Sequence, residues 1–379
     1  MKNNNPHYFY RQLRYDVGRF FSKGSHFIAD SLLQVDQKLL SALPHIPSSC
    51  SSTDNKVLLC RHFFAPSYSS RHDLCISEEK FLLDDTLSEF SNSNPGYSFD
   101  SFFWDLEYSP FTSASNHFVS YVLSRNYEVV ILGSWAPSSR CFWLPSPDSL
   151  LKLKKSGVKI IIIWFDSCSD LFVDTITNCL DLATLHVLAD NPLLDFGNSS
   201  AARSLSSCPN IVSPCWPFSS SFLNPDLPKT IDFSFLGRVE SYRSYRTTTL
   251  EYLISNNVPI YHNLSSSVLP WENYIRIMSS SKMTLNFSFS VSRHQLKGRA
   301  LQAFWAKSLL FESSNAQITS FFEPYKHFIP YDSDADLLQK IRLYLDDVDS
   351  RIRITNAAYR IVKEKYNSCS FWSTLFSLV

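Results

Sequence analysis

The run VKIIIIWF at residues 158–165 decides the fold. It is apolar except for Lys159 and falls far short of the roughly 20 residues that a membrane-spanning helix needs. A short, nearly continuous run of Val and Ile has the character of a central strand in a parallel sheet, covered on both faces. Working outward, strands and helices alternate. Upstream, strands are expected over residues 56–60 and 128–132 and helices over 116–124 and 146–155, the latter opened by Ser146 and ended near Gly157. Downstream lie a helix over 171–182 and a strand over 184–188. This alternation implies a doubly wound α/β sheet. Residues 62–111, rich in Ser, Asp and aromatic side chains, read as irregular.

Five prolines then interrupt the rhythm over residues 209–229. A second βα block follows. Strands are expected over 231–236, 258–262, 283–287 and 308–311, and helices over 242–255, 271–279, 298–306, 335–345 and 350–366. The organisation expected is therefore a helical extension and linker over 1–52, a first α/β domain over 53–208, a hinge over 209–229, and a second α/β domain over 230–379. Two such blocks enclose a cleft, and open α/β sheets bind ligands at the carboxyl ends of their strands.

Composition narrows the function. A hydrophobic fraction of 44% with 15% aromatic residues excludes a disordered chain. Lys plus Arg and Asp plus Glu each number 35, so no basic excess points to nucleic acid. The nine cysteines are irregularly spaced and form no CxxC pair, which argues for free thiols in a reducing cytoplasm rather than a zinc cage. Glycine is scarce, at 8 residues, and no GxGxxG, Walker, GxSxG or HExxH motif occurs. Arg11, Arg14, Arg19 and Lys23 accompany an amphipathic helical pattern within residues 8–43. Such a helix is suited either to an anionic membrane surface on the cytoplasmic side or to packing on the body of the protein.

Charge is distributed unevenly. Between Asn273 and Phe311 there is no Asp or Glu, while Arg276, Lys282, Arg293, His294, Lys297, Arg299 and Lys307 all fall there. The centre of this stretch, Gln295, Leu296, Lys297, Gly298 and Arg299, opens an expected helix, whose N-terminal amides and dipole favour an anion such as a diphosphate. A solvated basic face is the plainer alternative. The acidic run Asp332, Asp334 and Asp336 lacks the glycine and glutamate of a calcium loop and precedes a helix, so capping explains it.

The segment from Gln295 to Arg299, the strand LLFE at 309–312 and the run FFEPYKHFIPY at 321–331 resemble the C-terminal region of GT-B glycosyltransferases of the spore-maturation, CgeB-like group. The strands FSFLGR at 233–238 and MTLNF at 283–287 fit the same order. The resemblance covers residues 230–368 well, and residues 120–229 only through the βα rhythm and the strand ending at Asp166. It implies two facing Rossmann-like domains with an extra helical N-terminal segment, a nucleotide-sugar donor on the C-terminal domain, and a glycan or other hydroxyl acceptor on the N-terminal one. It also implies sugar transfer without an essential metal or other cofactor.

Carried over by position, Gly237 and Arg238 end the first strand of the donor domain, and His262 ends the second, near the base. Arg293, Gln295, Lys297, Gly298 and Arg299 face the diphosphate, and Gln302 and Glu312 approach the ribose or sugar hydroxyls. Asp166 is the candidate general base for the acceptor hydroxyl, with a helix cap as its other reading. Three positions depart from the group: Gln302 stands where Glu is usual, Lys307 and Ser308 replace a glycine-containing turn, and Tyr325 replaces a glycine. A catalytically inactive nucleotide-sugar or glycan-binding module of the same fold is the alternative reading.

Overall fold

The computed structural model describes residues 55–61, 79–103, 111–134, 145–165, 170–191, 193–194, 205, 207–237, 239, 244–262, 269–288 and 294–379. The expected helices over residues 8–43 lie outside them. Eleven strands form two sheets among the described residues. The N-terminal sheet holds β1 (Asn55–Arg61), β2 (Tyr97–Phe103), β3 (Val129–Ser134), β4 (Lys159–Trp164), β5 (Leu185–Leu188) and β6 (Ile211–Val212) in the order β2-β1-β3-β4-β5-β6. The C-terminal sheet holds β7 (Ile231–Phe235), β8 (Ile260–His262), β9 (Ser281–Leu285), β10 (Leu309–Ser313) and β11 (Ile329–Tyr331) in the order β11-β10-β9-β7-β8. Every pairing is parallel.

The helices are α1 (Asp85–Ser93), α2 (Phe111–Ser124), α3 (Pro147–Lys155), α4 (Asp170–Cys179), α5 (Ser244–Ser255), α6 (Trp271–Ser280), α7 (Gly298–Trp305), α8 (Ala316–Thr319), α9 (Asp334–Asp346), α10 (Val348–Glu364) and α11 (Ser368–Phe376). None of the described helices is long and apolar enough to cross a membrane.

As its sequence requires, β4 is central and its residues Ile160 to Trp164 are wholly buried. Ser146 caps α3 by accepting from the Ser149 amide, and Gly157 ends the following turn at φ 89°, a conformation that glycine adopts without steric cost. Ser333 caps α9, and the Asp336 carboxylate accepts from the Asp332 amide, so the acidic run serves the helix start. The glycines replaced by Lys307 and Tyr325 are missing only as residue types. Both residues hold left-handed backbone, at φ 51° and φ 60°, so the turns persist with side chains that the conformation disfavours.

Three regions differ from the sequence expectation. Within 62–111, residues 80–84 form a π-helical turn leading into α1, β2 pairs with β1, and α2 begins at Phe111. β2 escaped notice because its apolar residues do not alternate: Phe99 enters one hydrophobic cluster and Phe102 the other. The proline-rich stretch is not purely a connector either. It contributes β6 to the N-terminal sheet, with Ile211 opposite His186, and it buries Trp216, Phe218 and Phe222. Finally, α11 extends the chain beyond the last expected helix and packs against α1, 275 or more residues earlier, where the Trp372 indole donates to Thr86 Oγ1 at 3.0 Å.

Glu89 on α1 fastens this junction. Its carboxylate accepts from Ser219 Oγ at 2.9 Å, the Ser220 amide at 2.7 Å, Ser220 Oγ at 2.8 Å and Ser368 Oγ at 2.5 Å. One hydrophobic cluster consequently runs from Ile161 and Ile163 through Trp216 and Trp372 to Phe304.

Candidate functional site

The strand order of the C-terminal sheet places its topological switch point between β7 and β9: the chain leaves β7 toward β8 and returns on the other side. Open parallel sheets bind ligands in the crevice that this reversal leaves at the carboxyl ends. Gly237 follows β7, Asn286 and Ser288 follow β9, Glu312 lies near the end of β10, and Arg299 enters from the first turn of α7. Arg299 Nη1 donates to Asn286 Oδ1 at 2.7 Å. Its guanidinium carbon lies 5.4 Å from the centroid of the Phe235 ring. Gly237 makes room for it, because a methyl group there would stand 2.7 Å from Nη2 and 2.8 Å from Phe235 Cζ. Nε is buried with no hydrogen-bond partner, and Arg299 forms no ion pair among the described residues. A cation held in a fixed slot at the carboxyl ends of the strands suits an anionic ligand.

Glu312 sits behind this arginine rather than beside a ligand. It is 1% exposed, and its carboxyl takes Asn286 Nδ2, Ser288 Oγ at 3.1 Å, the Ser313 amide at 3.1 Å and Ser313 Oγ at 3.2 Å. Because a guanidinium only donates, Asn286 turns its oxygen to Arg299 and its NH₂ to Glu312. In this structure Glu312 orients Asn286. Burial pushes the Glu312 carboxyl up to about 7, outweighing the four donors that favour the charged form.

The folded state therefore holds this proton more tightly than the unfolded chain. The stability contributed by the neutral group is complete below about 4.5 and is lost as pH rises through about 7. Glu312→Gln cannot ionise. Denaturant titrations at about pH 5 and about pH 8 should show the wild type losing about 3 kcal/mol relative to the variant. Parallel pH slopes for the two proteins would contradict a buried, titrating carboxyl.

Lys297 precedes α7, whose first turn no side chain caps. Its ammonium group donates to Gln295 Oε1, and Gln295 Nε2 donates to Asp190 Oδ2 at 2.8 Å. Gly298 is the first residue of α7. Gln302 points away from the crevice: it is 2% exposed, and its carbonyl oxygen accepts from the Tyr274 hydroxyl. Tyr274 belongs to α6, so this face of α7 is turned toward that helix. His262 ends β8 and lines an open groove with Asp232 and Tyr261; its Nδ1 is buried without a hydrogen-bond partner among the described residues. Asp166, Arg238 and Arg293 lie outside the described residues.

The basic stretch also divides. Lys282 pairs with Asp232 at 2.5 Å, and Lys307 lies 3.5 Å from Asp226 and 4.7 Å from the centroid of the Tyr359 ring, so neither belongs to the crevice. Sequence reasoning missed Asn286, Ser288 and Asp190. Asn286 lay within the quoted strand MTLNF, but nothing local marks its side chain as the link between Arg299 and Glu312. Among the described residues, no three His, Cys, Asp or Glu side chains gather in a way that could hold a metal ion.

By sequence, residues 230–376 match the family described as glycosyl transferase-like. No curated protein matches the chain. Among solved structures, HepE from Anabaena, in complex with UDP and glucose, aligns with a TM-score of 0.54 at 9% identity over 86% of this chain and 100% of that one. Sucrose-phosphate synthase from Thermosynechococcus elongatus aligns with a TM-score of 0.57 at 9% identity, over 85% and 98%. A glycosyltransferase from Rickettsia africae aligns with a TM-score of 0.51 at 12% identity, over 86% and 98%. The fold is GT-B-like. At such low identities the likeness concerns the fold alone, and the chemistry has to be argued from the crevice. In a GT-B-like fold the carboxyl ends of the two sheets face each other, and here Asp190 and Asn191, beyond β5, touch Gln295 in the loop before α7 and Gln317 on α8.

Proposed function

We propose that this protein is a glycosyltransferase that moves a sugar from a nucleotide-activated donor to a hydroxyl of a glycan or related acceptor. The observation that carries this reading is Arg299: a cation without an ion pair among the described residues, slotted against Gly237 at the switch point of a GT-B-like sheet. A nucleoside diphosphate leaving group is the anion that this site suits. Arg299, Lys297 and the amides of the first α7 turn stabilise its developing charge, which is why no essential metal is required in this reading. Gly237, Arg238, Arg293 and Gln295 serve the diphosphate in this reading, and His262 serves the base. The acceptor sits on the N-terminal half, with Asp166 beyond β4 as general base.

The order of residues 295–299, 309–312 and 321–331 supports the CgeB-like group within the fold. Cys60, Cys179, Cys215 and Cys369 are free thiols, which supports a cytoplasmic setting, with the basic N-terminal segment at the inner membrane surface.

A catalytically silent nucleotide-sugar module is favoured by one observation, the withdrawal of Gln302 and Glu312 from the crevice. A thermal-shift panel of UDP-, GDP-, ADP- and dTDP-sugars tests both readings. One nucleotide-sugar should stabilise the protein by about 2.7 kcal/mol at a hundredfold excess over Kd. Slow release of the matching nucleoside diphosphate then marks the enzyme, and binding without release marks the module. Failure of every panel member to bind would overturn both.

A further inference from the structure

Two residues beyond β5, Asp190 and Asn191, are where the N-terminal half grips the loops of the crevice. Asp190 is 3% exposed, and so is its partner Gln295. The chain of bonds runs from Asp190 Oδ2 to Gln295 Nε2, and from Gln295 Oε1 to the Lys297 ammonium. Each end admits only one orientation of the amide between them. A carboxylate accepts and cannot donate, and an ammonium donates and cannot accept. The Gln295 side chain is therefore held from one half of the molecule so that its single acceptor meets a cation of the other. Asn191 makes a separate contact: its amide donates to Gln317 Oε1 at 3.0 Å, and its carbonyl accepts from Gln317 Nε2 at 2.7 Å. This second pair joins the same two halves without touching Lys297.

We infer that Asp190 is a positioning residue of the donor site: acting through Gln295, it sets the place of the Lys297 ammonium at the start of α7. The inference rests on the donor-site reading of Lys297. Its consequence is that the cationic site on the C-terminal half is complete only while the N-terminal half is docked on it. By linkage, an anion that needs Lys297 in place strengthens that docking.

The test compares Asp190→Ala with Gln317→Ala, since each breaks a contact between the halves and Asp190 is the one bonded to the partner of Lys297. Acylation of lysines by a limiting amine reagent, read by mass spectrometry on the full-length protein, needs no ligand. The Lys297 rate should rise about tenfold in Asp190→Ala, the scale of one charge-assisted hydrogen bond. It should stay at the wild-type rate in Gln317→Ala. Asp190→Asn, whose amide oxygen still accepts from Gln295, should return the rate close to wild type. Inorganic pyrophosphate should protect Lys297 in the wild type and in Gln317→Ala, and protect it about tenfold less well in Asp190→Ala.

Should Asp190→Ala not fold, Gln295→Met, which breaks both bonds and keeps Asp190, carries the same expectation. An unchanged Lys297 rate in Asp190→Ala or Gln295→Met, or an equal rise in Gln317→Ala, overturns the positioning role. Absence of pyrophosphate protection in the wild type would instead count against the donor-site reading, while the acylation rates still decide what Asp190 does.

Discussion

Arg299→Ala should weaken binding of the cognate nucleotide-sugar at least a hundredfold, with the fold intact. Among the described residues the guanidinium donates to Asn286, rests on Phe235 and Gly237 and forms no ion pair, so its loss deletes none of the described ion pairs. What is lost is a pair of charge-assisted hydrogen bonds to a diphosphate, each about twice as strong as a neutral one. In a partly desolvated crevice that amounts to about 3 kcal/mol or more. Arg299→Lys should not restore it, because a point charge cannot hold Asn286 and a phosphate oxygen in a single fork.

Gly237→Ala provides an independent route to the same outcome. The new methyl group would lie 2.7 Å from Nη2, and the flexible arginine end yields more readily than the strand, so the guanidinium leaves its slot. Isothermal titration of each variant with the nucleotide-sugar found by the panel measures this. Unchanged affinity in Arg299→Ala would remove the central support of the functional proposal.

Trp372→Ala should have the largest effect on stability, about 4 kcal/mol by the usual cost of truncating a buried aromatic side chain. Trp372 is wholly buried, stacks on Phe376, meets the edge of Phe371 and donates to Thr86. It holds α11, the last element of the chain, against α1 of the other half. The loss should be felt far from position 372: amide exchange should rise in α1 and in β2, whose Tyr97 and Phe99 rest on Phe376. Trp372→Phe keeps most of the packing and gives up the indole hydrogen bond, so it should cost about 1 to 2 kcal/mol. Denaturant unfolding with hydrogen exchange checks both variants. A small loss in Trp372→Ala, with α1 still protected, would show that the two halves are joined by other means.

How far the sequence could be read depended on the range of the interaction concerned. The run at 158–165 is so apolar that only a central strand satisfies it, and its neighbours carry helix caps and breakers within a few residues of where they act. The basic loop before α7 was visible because its cations are close in sequence. β2 was not visible because its apolar residues do not alternate and elements from distant parts of the chain cover it; α11 carries the helical spacing of Phe371, Trp372 and Leu375, but over nine residues only, and its partner α1 lies far away in the chain. The lost glycines at positions 307 and 325 looked like changes of backbone, yet Lys307 and Tyr325 keep the left-handed turns. Residue type states a preference, and surrounding structure can override it at a cost of about 1 kcal/mol.

From its residues alone, this chain is committed to two parallel βα blocks and to a cationic loop opening a helix, because periodicity, caps and charge runs act over one or two turns of chain. Tertiary structure decided the remainder. The reversal of strand order between β7 and β9 put Gly237, Asn286 and Arg299 around one crevice and drew Glu312 behind them. The approach of the two sheets put Asp190 on Gln295, 105 residues away. A local pattern carries no record of which distant group will meet a side chain; that follows from topology and from the requirement that buried polar atoms find partners.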